Sequence, residues 1–126
     1  MRASKGLLAL YAVDLSLLFA HEIDSAYWHE WEMIGLPGGI QLFALLHVPL
    51  LTLGLWGYGA LVAGGRGGLA VSYLVAGAGV FAALAHALFL SRGHPAFRLP
   101  ASIGILAAGL VGSLAQVALT ARAGRA

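Results

Sequence analysis

Cysteine is absent from this chain, and charged residues are scarce. Without cysteine there is no disulfide, no thiolate metal ligand and no thiol nucleophile. Charged residues make up 10% of the 126 residues, whereas a soluble domain carries roughly a quarter. The seven Lys and Arg residues form no basic patch interleaved with aromatics, so we predict no nucleic-acid partner. The chain is instead rich in apolar residues. Hydrophobic residues make up 60% of the sequence and the mean hydropathy is +0.89, which is typical of membrane proteins.

Four apolar segments are long enough to cross a bilayer, which takes about 20 residues each. They are residues 5–24, 39–63, 68–90 and 99–121. Gly- and Pro-rich turns separate them. We therefore predict an all-α fold, an integral membrane four-helix bundle in which residues 1–126 form one domain. The N-terminus resembles a signal peptide, but Asp14 interrupts its apolar run, and we expect it to be retained as the first span.

Basic residues are distributed unevenly between the two ends of this bundle. Four spans put both termini and the 64–68 loop on one side of the membrane. That side holds Arg2, Lys5, Arg66, Arg122 and Arg125, and the other holds Arg92 and Arg98. By the positive-inside rule the N- and C-termini are cytoplasmic. We predict a multi-pass protein of the bacterial inner membrane.

All five acidic residues lie between positions 14 and 32. Asp14 is inside the first apolar run, and the other four belong to HEIDSAYWHEWE at 21–32. The first strong stop is LPGG, so we expect the first helix to continue to about Met33. On such a helix one sector of about 100° holds most of the polar residues. They are Asp14, His21, Glu22, Ser25, His29 and Glu32. Glu30 then points away from this stripe.

Histidines on three helices reach the same level as the acidic stripe. Ionisable groups inside a bilayer face the bundle interior and mark function. Histidine and carboxylate without cysteine suit a divalent metal ion such as Zn²⁺, Fe²⁺, Mn²⁺ or Cu²⁺. The candidate ligands are His21, Asp24, His29, His47, His86 and His94. Because His21, His47 and His86 each lie near the outer end of their helix, we predict that these three converge on one ion.

The motifs around these residues resemble a known family. HEID followed by HEW, together with LLHVPL and HALFLSRGHPAF, is similar to an uncharacterised family of small four-helix bacterial membrane proteins, a domain of unknown function. The resemblance extends over most of the chain and implies a shared polar site at the matching residues. They are His21, Glu22, Asp24, His29, Glu30, Trp31, His47, His86, His94 and Pro95. It implies no reaction.

Several functions fit this pattern. The leading hypothesis is a membrane metalloprotein that acts as a hydrolase or oxidoreductase on a lipid-soluble substrate, with Glu22 as the general base. A second is a small proton- or cation-coupled transporter that uses Asp14. A third is a structural or assembly subunit whose polar residues join helices, and bis-histidine haem binding is a weaker fourth.

Small residues recur every four positions in the last span. Gly104, Ala108 and Gly112 form a lane suited to close helix packing. Besides the bilayer itself and a lipophilic small molecule, the predicted partners therefore include a second copy of the chain packed along this lane.

Overall fold

The computed structural model describes residues 3–125, and every regular element in this range is a helix. The helices are α1 (Lys5–Tyr27), α2 (Glu30–Met33), α3 (Gly39–Val62), α4 (Arg66–Ser91) and α5 (Pro100–Arg125). The predicted all-α class is confirmed. Arg2, which contributes to the predicted charge asymmetry, lies outside the described residues.

Four of the helices, α1, α3, α4 and α5, are each long and apolar enough to cross a membrane. Large apolar side chains cover their outer faces, among them Leu45, Leu74 and Phe81. An apolar surface of this extent needs a nonpolar surrounding. The helices therefore indicate a multi-pass membrane protein. The side on which the termini lie and the identity of the membrane remain predictions.

The pair α1 and α4 forms the middle of the bundle. Each packs against the other and against both α3 and α5, whereas α3 and α5 do not touch within residues 3–125. Consecutive long helices are antiparallel: the Tyr11 hydroxyl, early in α1, donates to the Gly54 carbonyl in the second half of α3 at 2.6 Å. Ala3 and Ala123 pack on the same apolar cluster around Leu7. Both ends of the described chain thus lie at one end of the bundle, and α2 lies at the other.

The first helix does not continue to Met33, so that expectation is wrong. Trp28 caps α1, and His29 takes a left-handed conformation with φ 54° and ψ 49°. The residue after a helix cap is where chains commonly turn left-handed, usually at glycine. Histidine is one of the few other residue types enriched in that region. The chain changes direction at His29, and α2 starts as a separate helix.

The predicted small-residue lane on α5 is divided between two environments. At Gly112 a Cβ would overlap the Asp14 carboxylate of α1, so this glycine provides the space for a buried acid inside the bundle. Gly104 and Ala108 are exposed on the outside. Self-association along the lane remains a prediction.

Hydrogen bonds join α4 to α5 in the half of the bundle near the termini. The Gln116 amide donates to the Ser72 carbonyl at 2.9 Å. The hydroxyls of Ser72 and Thr120 lie 2.7 Å apart, and Thr120 also donates to the Gln116 carbonyl at 2.8 Å. Such bonds are the usual polar contacts between membrane helices. Buried polar groups in the other half are less well satisfied.

Candidate metal centre

Three ionisable side chains from three helices meet at the α2 end of the bundle. His21 comes from α1, Glu30 from α2 and His86 from α4, and one ligand atom of each lies within 4.8 Å of the others. His21 is 4% exposed and His86 is 1% exposed, while the Glu30 side chain is 16% exposed. Within residues 3–125 this is the one group of three or more His, Asp or Glu side chains that come so close.

The imidazole nitrogens of this cluster lack ordinary partners. Glu30 Oε1 lies 3.0 Å from His86 Nε2, but off the direction in which a ring N–H points, so neither nitrogen of His86 has a hydrogen-bond partner among the described residues. His21 Nδ1 also has none there, and His21 Nε2 has only a long 3.4 Å contact with the Ser25 hydroxyl. Each buried, unpaired polar atom costs about 1–3 kcal/mol. One common ion would satisfy one nitrogen of each ring.

The distances between the three ligand atoms are close to those found in a metal site. Bonds of about 2.1 Å place two ligands of one ion at most about 4.2 Å apart. The 4.8 Å limit of the cluster exceeds this by less than about 1 Å, which small side-chain rotations supply. The rings of His21 and His86 meet edge to face, with centroids 4.8 Å apart.

Glu30 is held in its charged form. Burial alone raises the pKa of its carboxyl group, but polar contacts with His86 and Ser25 and the charges of the two imidazoles outweigh burial, so the pKa lies below the ordinary value. A carboxylate that is ionised at neutral pH is what a divalent cation requires of this ligand.

Phe97 covers the cluster with an apolar surface. Its ring centroid lies 4.0 Å from that of His86 and 5.9 Å from that of His21, and the residue is fully buried. The backbone at Phe97 is left-handed, with φ 61°, and this turns the chain between α4 and α5 over the site. Because the Phe97 ring excludes water from this side of the cluster, electrostatic interactions within the cluster are stronger.

Glu22 and His47 form a second, separate pair. His47 Nε2 lies 2.7 Å from Glu22 Oε2, and His47 Nδ1 lies 2.6 Å from the Phe43 carbonyl oxygen. The histidines predicted to converge on one ion are thus divided: His21 and His86 share a cluster with Glu30, while His47 contacts α1 through Glu22.

The other candidate ligands have local partners. Asp24 Oδ1 accepts from the Trp28 indole at 3.0 Å. The His29 side chain is 59% exposed. His94 Nδ1 accepts from the Ala96 backbone at 3.2 Å within the α4–α5 loop. None of the three lies in the cluster.

The expectation that Glu30 faces away is wrong, because it assumed an unbroken helix through His29. The left-handed residue redirects the chain and carries Glu30 back over α1 to His86. No glycine or proline marks this break in the sequence. Phe97 was also missed, since its role depends on the path of a loop.

Asp14 is buried away from the cluster. It is 1% exposed, and neither carboxylate oxygen has a hydrogen-bond partner among the described residues. A cavity of about 10 Å³, lined by both Asp14 and His21, lies beside it. Such a cavity holds about one water molecule.

One family model matches residues 7–123, and that family is described as a family of unknown function (DUF6713). The predicted resemblance to an uncharacterised family is thereby confirmed. No curated protein and no solved structure matches the chain.

Proposed function

The chain belongs to this family of unknown function, and from its geometry we propose that it is a membrane protein that binds a divalent metal ion through His21, Glu30 and His86. One observation carries the proposal. Ligand atoms of two buried histidines and one partly buried glutamate, from three separate helices, lie within 4.8 Å of one another, and three of the four imidazole nitrogens have no hydrogen-bond partner among residues 3–125.

The donor set narrows the choice of ion. Two histidines and one carboxylate are the protein ligands of one class of catalytic zinc site, which leaves a fourth position open. The same set is typical of non-haem iron(II) sites. We favour Zn²⁺ or Fe²⁺ over Mn²⁺ and Cu²⁺ for this reason. An open position would admit water or substrate.

We further propose that the ion takes part in catalysis on a lipid-soluble substrate. Glu22 follows the ligand His21 directly in the sequence and remains partly accessible, with 30% of its side chain exposed. It would act as the general base, with His47 holding its carboxylate in place. Hydrolysis would be expected with zinc, and oxidation by dioxygen with iron.

Metal content of purified protein tests the proposal. The chain should be purified without a histidine tag or chelator, and its metals measured by inductively coupled plasma mass spectrometry. We expect about one ion per chain, as three protein ligands describe one site. Glu30→Ala and His86→Ala each remove a ligand and should lower affinity by more than the 10–100-fold typical of outer-shell changes.

Glu32→Ala is the matched control, because Glu32 lies in the same short helix with a side chain that is 70% exposed. It should retain the ion. Wild-type protein without bound metal, or equal loss from the Glu32 and Glu30 variants, would contradict the proposal.

Asp14 supports a second candidate function, proton-coupled transport. Its oxygens are buried without partners among the described residues, and ionisable groups of this kind mark proton relays in membranes. Asp14→Asn should then abolish proton-driven uptake of Zn²⁺ into proteoliposomes, while Ser16→Ala on the exposed side of α1 should not. If Asp14 only supports the metal site, the Asn variant should weaken metal binding without abolishing it. No change in either assay would reduce Asp14 to a packing contact.

A further inference from the structure

An apolar cavity of about 170 Å³, open toward the outside of the bundle, lies between α1, α3 and α4. Aliphatic side chains and Phe19 form most of its lining, and Glu22 and His47 are the polar side chains that line it. The cavity shares no lining residue with the His21–Glu30–His86 cluster. It therefore offers a binding site of its own, apolar throughout except at this pair.

The hydrogen bonds of the pair define what it can offer a ligand. The Phe43 carbonyl can only accept, so His47 Nδ1 carries the hydrogen of their 2.6 Å contact. The 2.7 Å contact between Nε2 and Glu22 Oε2 then requires one further proton, shared between the two atoms. Glu22 and His47 together therefore carry no net charge. Glu22 Oε1 has no hydrogen bond among the described residues, and it is free to accept one.

We propose that this cavity binds a lipid-soluble phenol or quinol, with the ring among the apolar side chains and the hydroxyl donating to Glu22 Oε1. A dry cavity of about 150 Å³ holds benzene, so 170 Å³ suits one such ring. A charged head group would be desolvated without a counter-charge, because the pair is neutral overall. The proposal rests on the proposed function and names the substrate class of its oxidation alternative, because a phenol or quinol has no bond to hydrolyse, while binding itself requires no metal.

Photolabelling in detergent tests this directly. The probe is a diazirine derivative of para-hexylphenol, and the labelled residues are mapped by mass spectrometry. We expect labels on the cavity-lining segments of α1, α3 and α4. Unmodified para-hexylphenol should compete about tenfold better than para-hexylanisole, its methyl ether, because the ether cannot donate a hydrogen bond to the carboxylate.

Two variants distinguish the cavity from the polar pair. Ala78→Phe adds a ring to the α4 side of the cavity and leaves both polar side chains in the chain, and it should abolish cavity labelling. Its control is Ala115→Phe on the exposed face of α5, which should label as wild type. Glu22→Leu should remove the tenfold preference for the phenol over the ether.

Labels spread over the outer faces of the bundle, unchanged labelling of Ala78→Phe, or equal competition by phenol and ether would each overturn the proposal. Wild-type protein treated with EDTA should label as well as protein loaded with zinc. A failure of metal binding and a failure of phenol binding are therefore observed separately.

Discussion

The conformation of His29 gives the sharpest test of how the His21–Glu30–His86 cluster is built. His29 holds φ 54° and ψ 49°, and this left-handed residue redirects the chain so that Glu30 reaches His86. We predict that position 29 acts through its backbone. Glycine and asparagine, which accept this conformation readily, should therefore preserve metal binding, whereas valine should weaken it.

The magnitude follows from the backbone alone. A left-handed conformation costs a residue with a Cβ roughly 1–2 kcal/mol, and a β-branched residue belongs to the least tolerant group. If His29→Val relieves this strain by letting α1 continue, Glu30 leaves the cluster. Zinc binding must then restore the left-handed conformation at residue 29, which costs the roughly 1–2 kcal/mol given above. The apparent affinity for zinc should therefore fall about 5- to 30-fold relative to His29→Gly.

Competition for Zn²⁺ between the protein in detergent and a chromophoric chelator measures these affinities. His29→Gly and His29→Asn should bind zinc at least as tightly as wild type, because glycine and asparagine accept the left-handed conformation at least as readily as histidine. Equal affinities for the valine and glycine variants would refute the backbone argument. Loss of zinc from the glycine variant, to the extent seen for His86→Ala, would instead make the His29 side chain a ligand.

Three further predictions concern charge, packing and orientation. Because its pKa is lowered, the Glu30 carboxylate stabilises the metal-free fold at pH values above its ordinary pKa of 4.5. This stabilisation is lost progressively as the pH falls below 4.5. The thermal unfolding temperature of Glu30→Gln should therefore depend less steeply on pH in that range. Gly57→Ala should lower the free energy of unfolding by about 1–3 kcal/mol in detergent titrations, because its Cβ would overlap Val71, whereas Gly59→Ala has open space and should stabilise α3 by up to about 1 kcal/mol. Arg66→Cys should react with an impermeant maleimide only from the cytoplasmic side, and labelling of intact cells at this position would reverse the predicted orientation.

The fold class follows from the sequence because lipid leaves the backbone few choices. An apolar run of about 20 residues in a bilayer must satisfy every N–H and C=O group within itself, which a helix does. Turn residues between the runs then limit the helices. Which neighbours each helix face meets does not follow from length and hydropathy, since it depends on packing among α1, α3, α4 and α5.

The site could be predicted only in part for that reason. His21 and His86 lie near helix ends that antiparallel connections bring together, and the structure places both in one cluster. Glu30 depended on one backbone angle at His29, in a stretch without glycine or proline. His47 depended on the face that α3 turns toward α1. Neither the backbone angle at His29 nor the orientation of α3 can be recognised from the composition or from the spacing of residues.

The acidic stretch suggests a single site because its charged residues are close together in the sequence. Consecutive residues of a helix, however, point in different directions. His21 and Glu22 point about 100° apart on α1, so His21 faces α4 and α2 while Glu22 faces α3. Each carboxylate then meets the histidine of a different helix: Glu30 lies 3.0 Å from His86, and Glu22 lies 2.7 Å from His47. The consecutive residues His21 and Glu22 therefore belong to two polar sites that share no side chain. A metal ion at one and a lipid-soluble ligand at the other would therefore be held side by side on the same turn of α1.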